Sequence, residues 1–474
     1  MIPEGSLIKI RMKEFVYCII YIYSVFYFPI VYLALSIDME AFMGENLLTD
    51  LFPLAVLGMG VARFAFIEEQ QLYVGSHWNK QNVVLYFLSF LVFNIAAARV
   101  NSEEISGGLG LITMLLKFTL FPVFVYLFIS YQFRNNESFE RNVQRILYII
   151  ILTMAIEAAF YLLLYLGFYN QSVLNSEEGA ESHLVLSLIG VYFEKRLMPF
   201  IDAHPNTMGI YIGGVLTMVM LIVGQKGLSK KLKTMLWAFT AIGWLFLLLV
   251  DSRGTIVNTV MATVAVYFLA KTRFLGILRI MPVLTPFLPF IMLAVLSFMA
   301  ESGLGSQVSR QEGDLATGNN RSAIWEECVK ELSEPKIQHF IGYGSMGHYA
   351  AGVSQKYAWI FGGEMADSMV THNYFFQMVF DIGYIGTFIF FIFLYMVLSN
   401  AIRAYRMGFP RALSVVGFLT YFMLSGTSES VYGIYNKSYY MVFTSFVLFL
   451  ILSYNEFKQH IHVRTIEKEL VLSR

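Results

Sequence analysis

The chain has 474 residues, 57% of them hydrophobic and only 14% charged, with a mean hydropathy of +0.61. That is too apolar for a soluble multi-domain protein of this length and points to a polytopic membrane protein. Basic and acidic residues balance at 33 each, which excludes the basic footprint of a nucleic-acid binder and moves the informative signal to where the charges lie along the chain.

The N-terminal MIPEGSLIKIRMKE leads into an apolar run from about Phe15 to Ile37. The run is longer than a signal-peptide core and no small-residue cleavage site follows it, so it reads as a retained first helix. A span needs about 20 apolar residues, and runs of that kind recur at 15–37, 50–67, 82–100, 107–131, 146–169, 207–224, 234–250, 255–270, 276–300, 374–400, 410–426 and 433–453. The fold class predicted is therefore an all-α integral membrane protein of about twelve transmembrane helices, with DSRG (Asp251 to Gly254) joining the seventh and eighth as a tight hairpin.

Residues 1–300 carry helices one to nine with a long external loop at 170–206. A larger external loop occupies 301–373, helices ten to twelve fill 374–453, and 454–474 is a tail. Orientation follows from Lys and Arg, which concentrate on the cytoplasmic side of short loops. With the N-terminus inside, one side collects Lys9, Arg11 and Lys13, then Lys226, Lys230, Lys231 and Lys233, then Arg403, Arg406 and Arg411. In all it holds about twice the basic residues of the other side, which places both termini in the cytoplasm. The first external loop is acidic, with Asp38, Glu40 and Glu45.

The 301–373 loop contains NRSAIWEECVKELSE, predicted as an amphipathic helix capped by Asn319 or Asn320. Ile324, Trp325, Cys328, Val329 and Leu332 share one face, to be laid on the membrane surface or on the helix bundle. Cys18 and Cys328 are the two cysteines, one in the first apolar run and one in this polar segment, and they read as two separate thiols.

Chemistry-bearing residues collect at one membrane face. His372 and Asn373 mark the outer mouth of the tenth helix, and Arg196, His204, Asn206, Arg253 and Arg321 fall on the same predicted side. External arginines run against the usual bias. Either they pair with external acids such as Glu194, Asp251 or Glu326, or they grip an anion, because a guanidinium offers phosphate oxygens a planar fork of donors. No H-E-x-x-H, C-x-x-C or D-x-D metal motif occurs, and the acidic pair Asp38 and Glu40 is a weak candidate for a divalent ion.

Lys117 and Glu157 fall near the midplane, where a pair would pin the fourth helix to the fifth or line a transport pathway. Asp381, two turns below His372, is a similar structural anchor or orients the active region. IGYGSMG (Ile341 to Gly347) has only a superficial likeness to a potassium filter, since it lacks the T-V-G-Y-G run. Its glycines are read as allowing tight turns.

Taken together, RLMPFIDAHPNTMGIY (Arg196 to Tyr211), DSRG, TGNNRSAIW (Thr317 to Trp325), IGYGSMG and THNYFFQMVFDIGYIG (Thr371 to Gly386) resemble the superfamily of O-antigen ligases and Wzy-type polymerases. The resemblance implies a GT-C-like membrane glycosyltransferase acting on an undecaprenyl-pyrophosphate-linked oligosaccharide at the outer face of the bacterial inner membrane, without a cofactor or metal and with inversion in a single displacement. It implies catalytic roles for His372, Arg253 and Arg196, and substrate contacts for Arg321, Asn206, Asn373 and His204. His204 departs from the family pattern, which has a small residue there. Membrane lipid and a chain-length regulator protein are the partners to look for. The expected reaction is polymerisation of oligosaccharide repeats, with ligation of the glycan to lipid A core as the alternative. A lipid-linked glycan flippase or secondary transporter is the rival of another class, against which stands the lack of a visible inverted repeat.

Overall fold

The computed structural model describes residues 205–301, 320–344, 346–361 and 369–432, with isolated positions 147, 148, 151, 444, 445, 448, 449 and 452. The first four predicted helices, most of the fifth and twelfth, and both termini lie outside the described residues. Among the described residues the chain is all-helical, with no strand. Three of the described helices are long and apolar enough to cross a membrane, namely α2 (Lys230–Val250), α3 (Arg253–Ala270) and α10 (Tyr374–Arg406). A bent pair of segments would add a fourth span. Two further apolar helices, α1 (Pro205–Val223) and α11 (Ala412–Ser425), pack with them.

Local chemistry sets these ends. Pro205 opens α1, where its missing N–H costs nothing. Ser229 caps α2 by accepting from the Leu232 N–H at 3.3 Å. Asp251 closes α2 with φ at 50° and α3 begins at Arg253, so DSRG is the tight turn its brevity suggested, but not a packed hairpin, since the two helices diverge from it and each packs on α1.

Helix α3 is apolar outside and polar inside. Val257, Val260, Met261, Val264 and Phe268 are exposed, whereas Thr255, Thr259 and Thr263 are buried. A soluble helix would be arranged the other way, and lipid accounts for the inversion. The threonine hydroxyls are satisfied locally, Thr259 donating to the Thr255 carbonyl at 2.8 Å and Thr263 to the Thr259 carbonyl at 2.7 Å. Against this stripe lie Gly209 and Gly213 of α1, one turn apart. A Cβ on Gly213 would collide with the Thr255 and Thr259 side chains and the Tyr421 hydroxyl. Small residues thus let α1, α3 and α11 approach closely, as membrane helices do in place of a hydrophobic drive.

Two predicted spans are broken. The ninth, expected as 276–300, is a 3-10 turn Arg273–Ile280, then α4 (Met281–Leu284) and α5 (Leu288–Glu301), bent by 94°. Pro282, Pro286 and Pro289 give the reason, since each lacks an N–H and clashes with the preceding turn. The tenth extends to Arg406 but is interrupted at Gly383, where φ is 71° and ψ 177°.

The chain repairs the second break with the IGYGSMG stretch. The Tyr343 N–H donates to the Phe380 carbonyl at 2.7 Å and the Gly344 N–H to the Asp381 carbonyl at 3.0 Å. These carbonyls lie just before the break, on residues buried in the protein, and need donors from outside the helix. The glycines serve contact as well as turning: a Cβ on Gly342 would strike the Asp381 carbonyl, and one on Gly383 the Phe340 carbonyl.

The loop that carries this repair is itself helical. Helix α6 (Arg321–Ser333) is followed by short turns α7 (Gln338–Ile341), α8 (Gly347–Ala350) and α9 (Val353–Tyr357). Ile324, Trp325 and Cys328 of α6 are buried against Val353, Tyr357, Phe376 and Phe380, forming a small second core around the first half of α10. Of the two beds expected for this helix it therefore takes the bundle. Val329, expected on the same face, is 43% exposed, and Asn320 makes no side-chain cap. Burial pushes the Cys328 thiol above its usual range, which leaves it inert at neutral pH.

Candidate functional site

Three helix starts meet at a single carboxylate, that of Glu429 in the turn after α11, and a fourth begins beside it. The Arg321 guanidinium, at the start of α6, pairs with its Oε1 at 2.7 Å. Asn206, in the first turn of α1, donates from Nδ2 to the same oxygen at 3.4 Å. His372, just before α10, brings Nδ1 to Oε2 at 3.2 Å. The start of α3 arrives beside them, since Gly254 lies against the Ser428 hydroxyl and Gly209 of α1 against Ser252. Arg253, the first residue of α3, therefore belongs to the same end of the bundle.

Each helix start brings the positive end of a helix dipole, although at α10 the first N–H groups are already taken by Asn373 and by the Gly426 carbonyl. Arg253 and Arg321 bring two positive charges to this end, set against the carboxylates of Glu429 and of the buried Asp251 in the turn before α3. Arg321 and Glu429 side chains are each 19% exposed and His372 is 26% exposed, so the cluster opens to solvent while remaining mostly enclosed.

His372 is held by its neighbours. Thr371 and Asn373 on either side are fully buried. The Thr371 carbonyl accepts from Trp325 Nε1 at 3.0 Å, and its N–H donates to Gln377 Oε1 at 3.3 Å. Asn373 caps α10, its Oδ1 accepting from the Phe375 and Phe376 N–H groups at 2.9 and 3.1 Å, while its Nδ2 donates to the Thr427 carbonyl at 3.1 Å. The residue between two such anchors has φ at 48°, a left-handed backbone that costs a side-chain-bearing residue roughly 1–2 kcal/mol. Strain of this kind is kept where it aims a functional group.

A second histidine backs the first. His348 is fully buried on α8. Gln377 Nε2 donates to its Nδ1 at 3.1 Å, so its proton sits on Nε2, which donates to the Met369 carbonyl at 2.5 Å. Burial pushes this ring down to about 4, with nearby His372 acting in the same direction and the Met369 carbonyl opposing. It is a neutral structural element.

Asp381 plays the anchoring role that was one of its two readings. Its Oδ1 accepts from the Gly347 N–H at 2.8 Å and from Gln377 Nε2 at 3.0 Å, and its Oδ2 accepts from the Tyr432 hydroxyl at 3.2 Å.

Of the residues singled out in the sequence, Asn206, Arg321 and His372 are brought onto one carboxylate, α3 begins beside them at Arg253, and Asn373 lies behind them as a scaffold. Arg196 and His204 lie outside the described residues, as do Asp38, Glu40, Lys117 and Glu157. The acid that Arg321 meets is Glu429. Glu326, named beforehand as a partner for an arginine, pairs with Lys330 at 2.8 Å. Sequence reasoning missed Glu429, and the one available signal was that it is the sole acid in the short segment between the last two predicted spans.

Among the described residues no group of three or more His, Cys, Asp or Glu side chains is arranged to hold a metal ion. Comparison of the chain with family models and with curated proteins finds no match.

Proposed function

We propose that this chain is a membrane glycosyltransferase that polymerises oligosaccharide repeat units from a polyprenyl-pyrophosphate-linked donor, with His372 as the acceptor-side base. The observation that carries the reading is the convergence of His372, Arg321, Asn206 and the start of α3 around Glu429 at one end of a membrane-type bundle. The motif resemblance supplies the substrate class.

The chemistry asks for two things. An acceptor hydroxyl attacks the anomeric carbon of the donor sugar, the bond to the phosphate oxygen breaks, and that electron pair leaves with the lipid pyrophosphate. One proton must be accepted and negative charge on phosphate must be stabilised. Glu429 holds the His372 proton on Nδ1, which makes Nε2 the basic nitrogen, the logic by which a carboxylate orients a catalytic imidazole. Arg253, Arg321 and the converging helix N-termini suit the pyrophosphate, where each charge-assisted bond contributes roughly 1.5–3 kcal/mol. Arg196 completes the set in this proposal.

The test is made in cells. His372→Ala is expected to abolish polymer while the protein remains at normal abundance, and near-normal product would remove His372 from the mechanism. Deleting the gene separates the two transferase reactions. One repeat attached to the lipid core marks a polymerase, whereas bare core with accumulated lipid-linked polymer marks the ligase.

A further inference from the structure

We infer that the 3-10 turn Arg273–Ile280, together with Arg406 at the end of α10, forms a site for the headgroup phosphate of an anionic phospholipid. It lies at the end of the bundle away from His372. Helix α3 starts beside the His372 cluster and runs about 27 Å, at 1.5 Å per residue, before it delivers the chain to this turn. A 3-10 run of eight residues is uncommon, and its period of three sorts the side chains into three rows. Leu275 and Leu278 form a buried row. Phe274, Ile277 and Ile280 form a second, 56%, 54% and 47% exposed. The third is Arg273, Gly276 and Arg279.

A further arginine closes on the basic row. Arg406 Nη2 donates to the Arg273 carbonyl at 3.1 Å, and the same nitrogen stands 3.3 Å from where a Cβ on Gly276 would be. Glycine there makes room for a guanidinium midway between the other two arginine positions, each about 6 Å along the row at 2 Å per residue. The Arg273 guanidinium lies 5.3 Å from the centre of the Phe274 ring, where the basic and the exposed apolar rows adjoin. Arg279 Nε is shut off from solvent and has no hydrogen-bond partner.

Among the described residues no acid answers these charges. The sequence has no Asp or Glu at 203–250, 252–300 or 382–428, so α1, α2, α3, α11, the turn itself and the part of α10 beyond Asp381 bring no carboxylate. A guanidinium nitrogen withheld from water without an acceptor is costly, and phosphate offers oxygens that match its fork of donors. The apolar row selects among phosphates. Val283 on α4 and Phe268 near the end of α3 are exposed as well, and a phospholipid covers such a surface with its acyl chains while its headgroup meets the arginines. A soluble anion would leave the row in water. The inference does not rest on the transferase reading.

The experiment uses the full chain in nanodiscs of mixed dioleoyl phosphatidylcholine and dioleoyl phosphatidylglycerol, whose acyl chains are identical. Native mass spectrometry then identifies the lipids that stay with the protein. The native chain is expected to retain phosphatidylglycerol severalfold above its share of the disc, and R273Q/R279Q/R406Q to lose that enrichment. K226Q/K230Q/K231Q, which removes as many charges from the same end, is expected to keep it. Equal loss in the two variants would leave only bulk charge and overturn the inference. No enrichment by the native chain would overturn it too, as the sign of a carboxylate from elsewhere in the chain on these arginines. Millimolar inorganic phosphate is expected to leave the retained lipid in place, and its displacement would mark a site for a free anion instead. Gel filtration checks the fold of each variant. Where the arginine variant does not fold, phosphatidylglycerol with a diazirine in its acyl chain reads the same contact on the native chain. It should label the Phe274–Val283 stretch more than the matched phosphatidylcholine does, and equal labelling would count against the site.

Discussion

Glu429 accepts from side chains on three different elements, and its two oxygens divide the work. Oε1 takes Arg321 and Asn206, and Oε2 takes His372. Glu429→Gln keeps the shape but removes the charge that orients the imidazole, so polymer formation should fall by about tenfold or more, the scale of a lost charge-assisted bond. Glycan length profiles at matched protein abundance check this, and an unchanged profile would leave Glu429 as surface decoration.

His348 makes a different prediction, about pH. Its folded value of about 4 lies below the ordinary 6.5, so between these values the unfolded chain binds a proton that the folded chain refuses. Stability then rises with pH across that window and is lost as pH falls from 6.5 towards 4, by roughly 3 kcal/mol at most. Melting of the detergent-solubilised protein across that range, with His348→Gln flattening the dependence, is the measurement.

At this scale the sequence showed polar residues stranded at an apolar border, which is how His372, Arg253 and Arg321 could be singled out. It could not show Glu429, because one acid in a short loop has no spacing to read and gains its meaning only from contacts 57 to 223 residues away.

At the scale of elements, α1, α2, α3, α6 and α11 were legible because an apolar run or a helical period carried each one, but α2, expected from 234, starts at Lys230 behind the Ser229 cap because its first turn is basic and not apolar. The break in the ninth span was also written in the chain, in three closely spaced prolines that an apolar average hides. The break at Gly383 was not. A glycine inside an apolar helix is usually tolerated, and this one is opened by backbone donors from Tyr343 and Gly344, far away in sequence.

Two glycine substitutions separate conformational strain from collision. Gly352 has φ at 75° with open space around it, so Gly352→Ala should cost only about 1 kcal/mol. Gly342 has φ at 92° and sits on the Asp381 carbonyl, so Gly342→Ala should cost several times as much, on the order of 3 kcal/mol or more, and undock the loop from α10. Thermal unfolding of the two variants and protease sensitivity of the 320–361 loop report the difference. Equal effects would mean that the loop does not depend on that contact.

For the whole molecule, the bundle is organised to bring helix starts together. Gly209 and Gly213 let α1 close on α3, Asn373 and the Tyr374 N–H tie the start of α10 to the end of α11 at Thr427 and Gly426, and Trp325 ties α6 to Thr371. Composition alone announced a membrane protein, and three apolar helices of spanning length agree with it. What composition could not give is which ends face each other, since that follows from small-residue packing and from caps that cross between helices.

The most direct measurement places the purified chain in liposomes with a polyprenyl-pyrophosphate-linked oligosaccharide and follows released polyprenyl pyrophosphate together with glycan length. The account predicts coupled release and elongation by the native chain, loss of both in His372→Ala, and at least about a tenfold loss in Arg253→Ala. Elongation undiminished in His372→Ala, or no release by a folded native chain supplied with donor and acceptor, would contradict it.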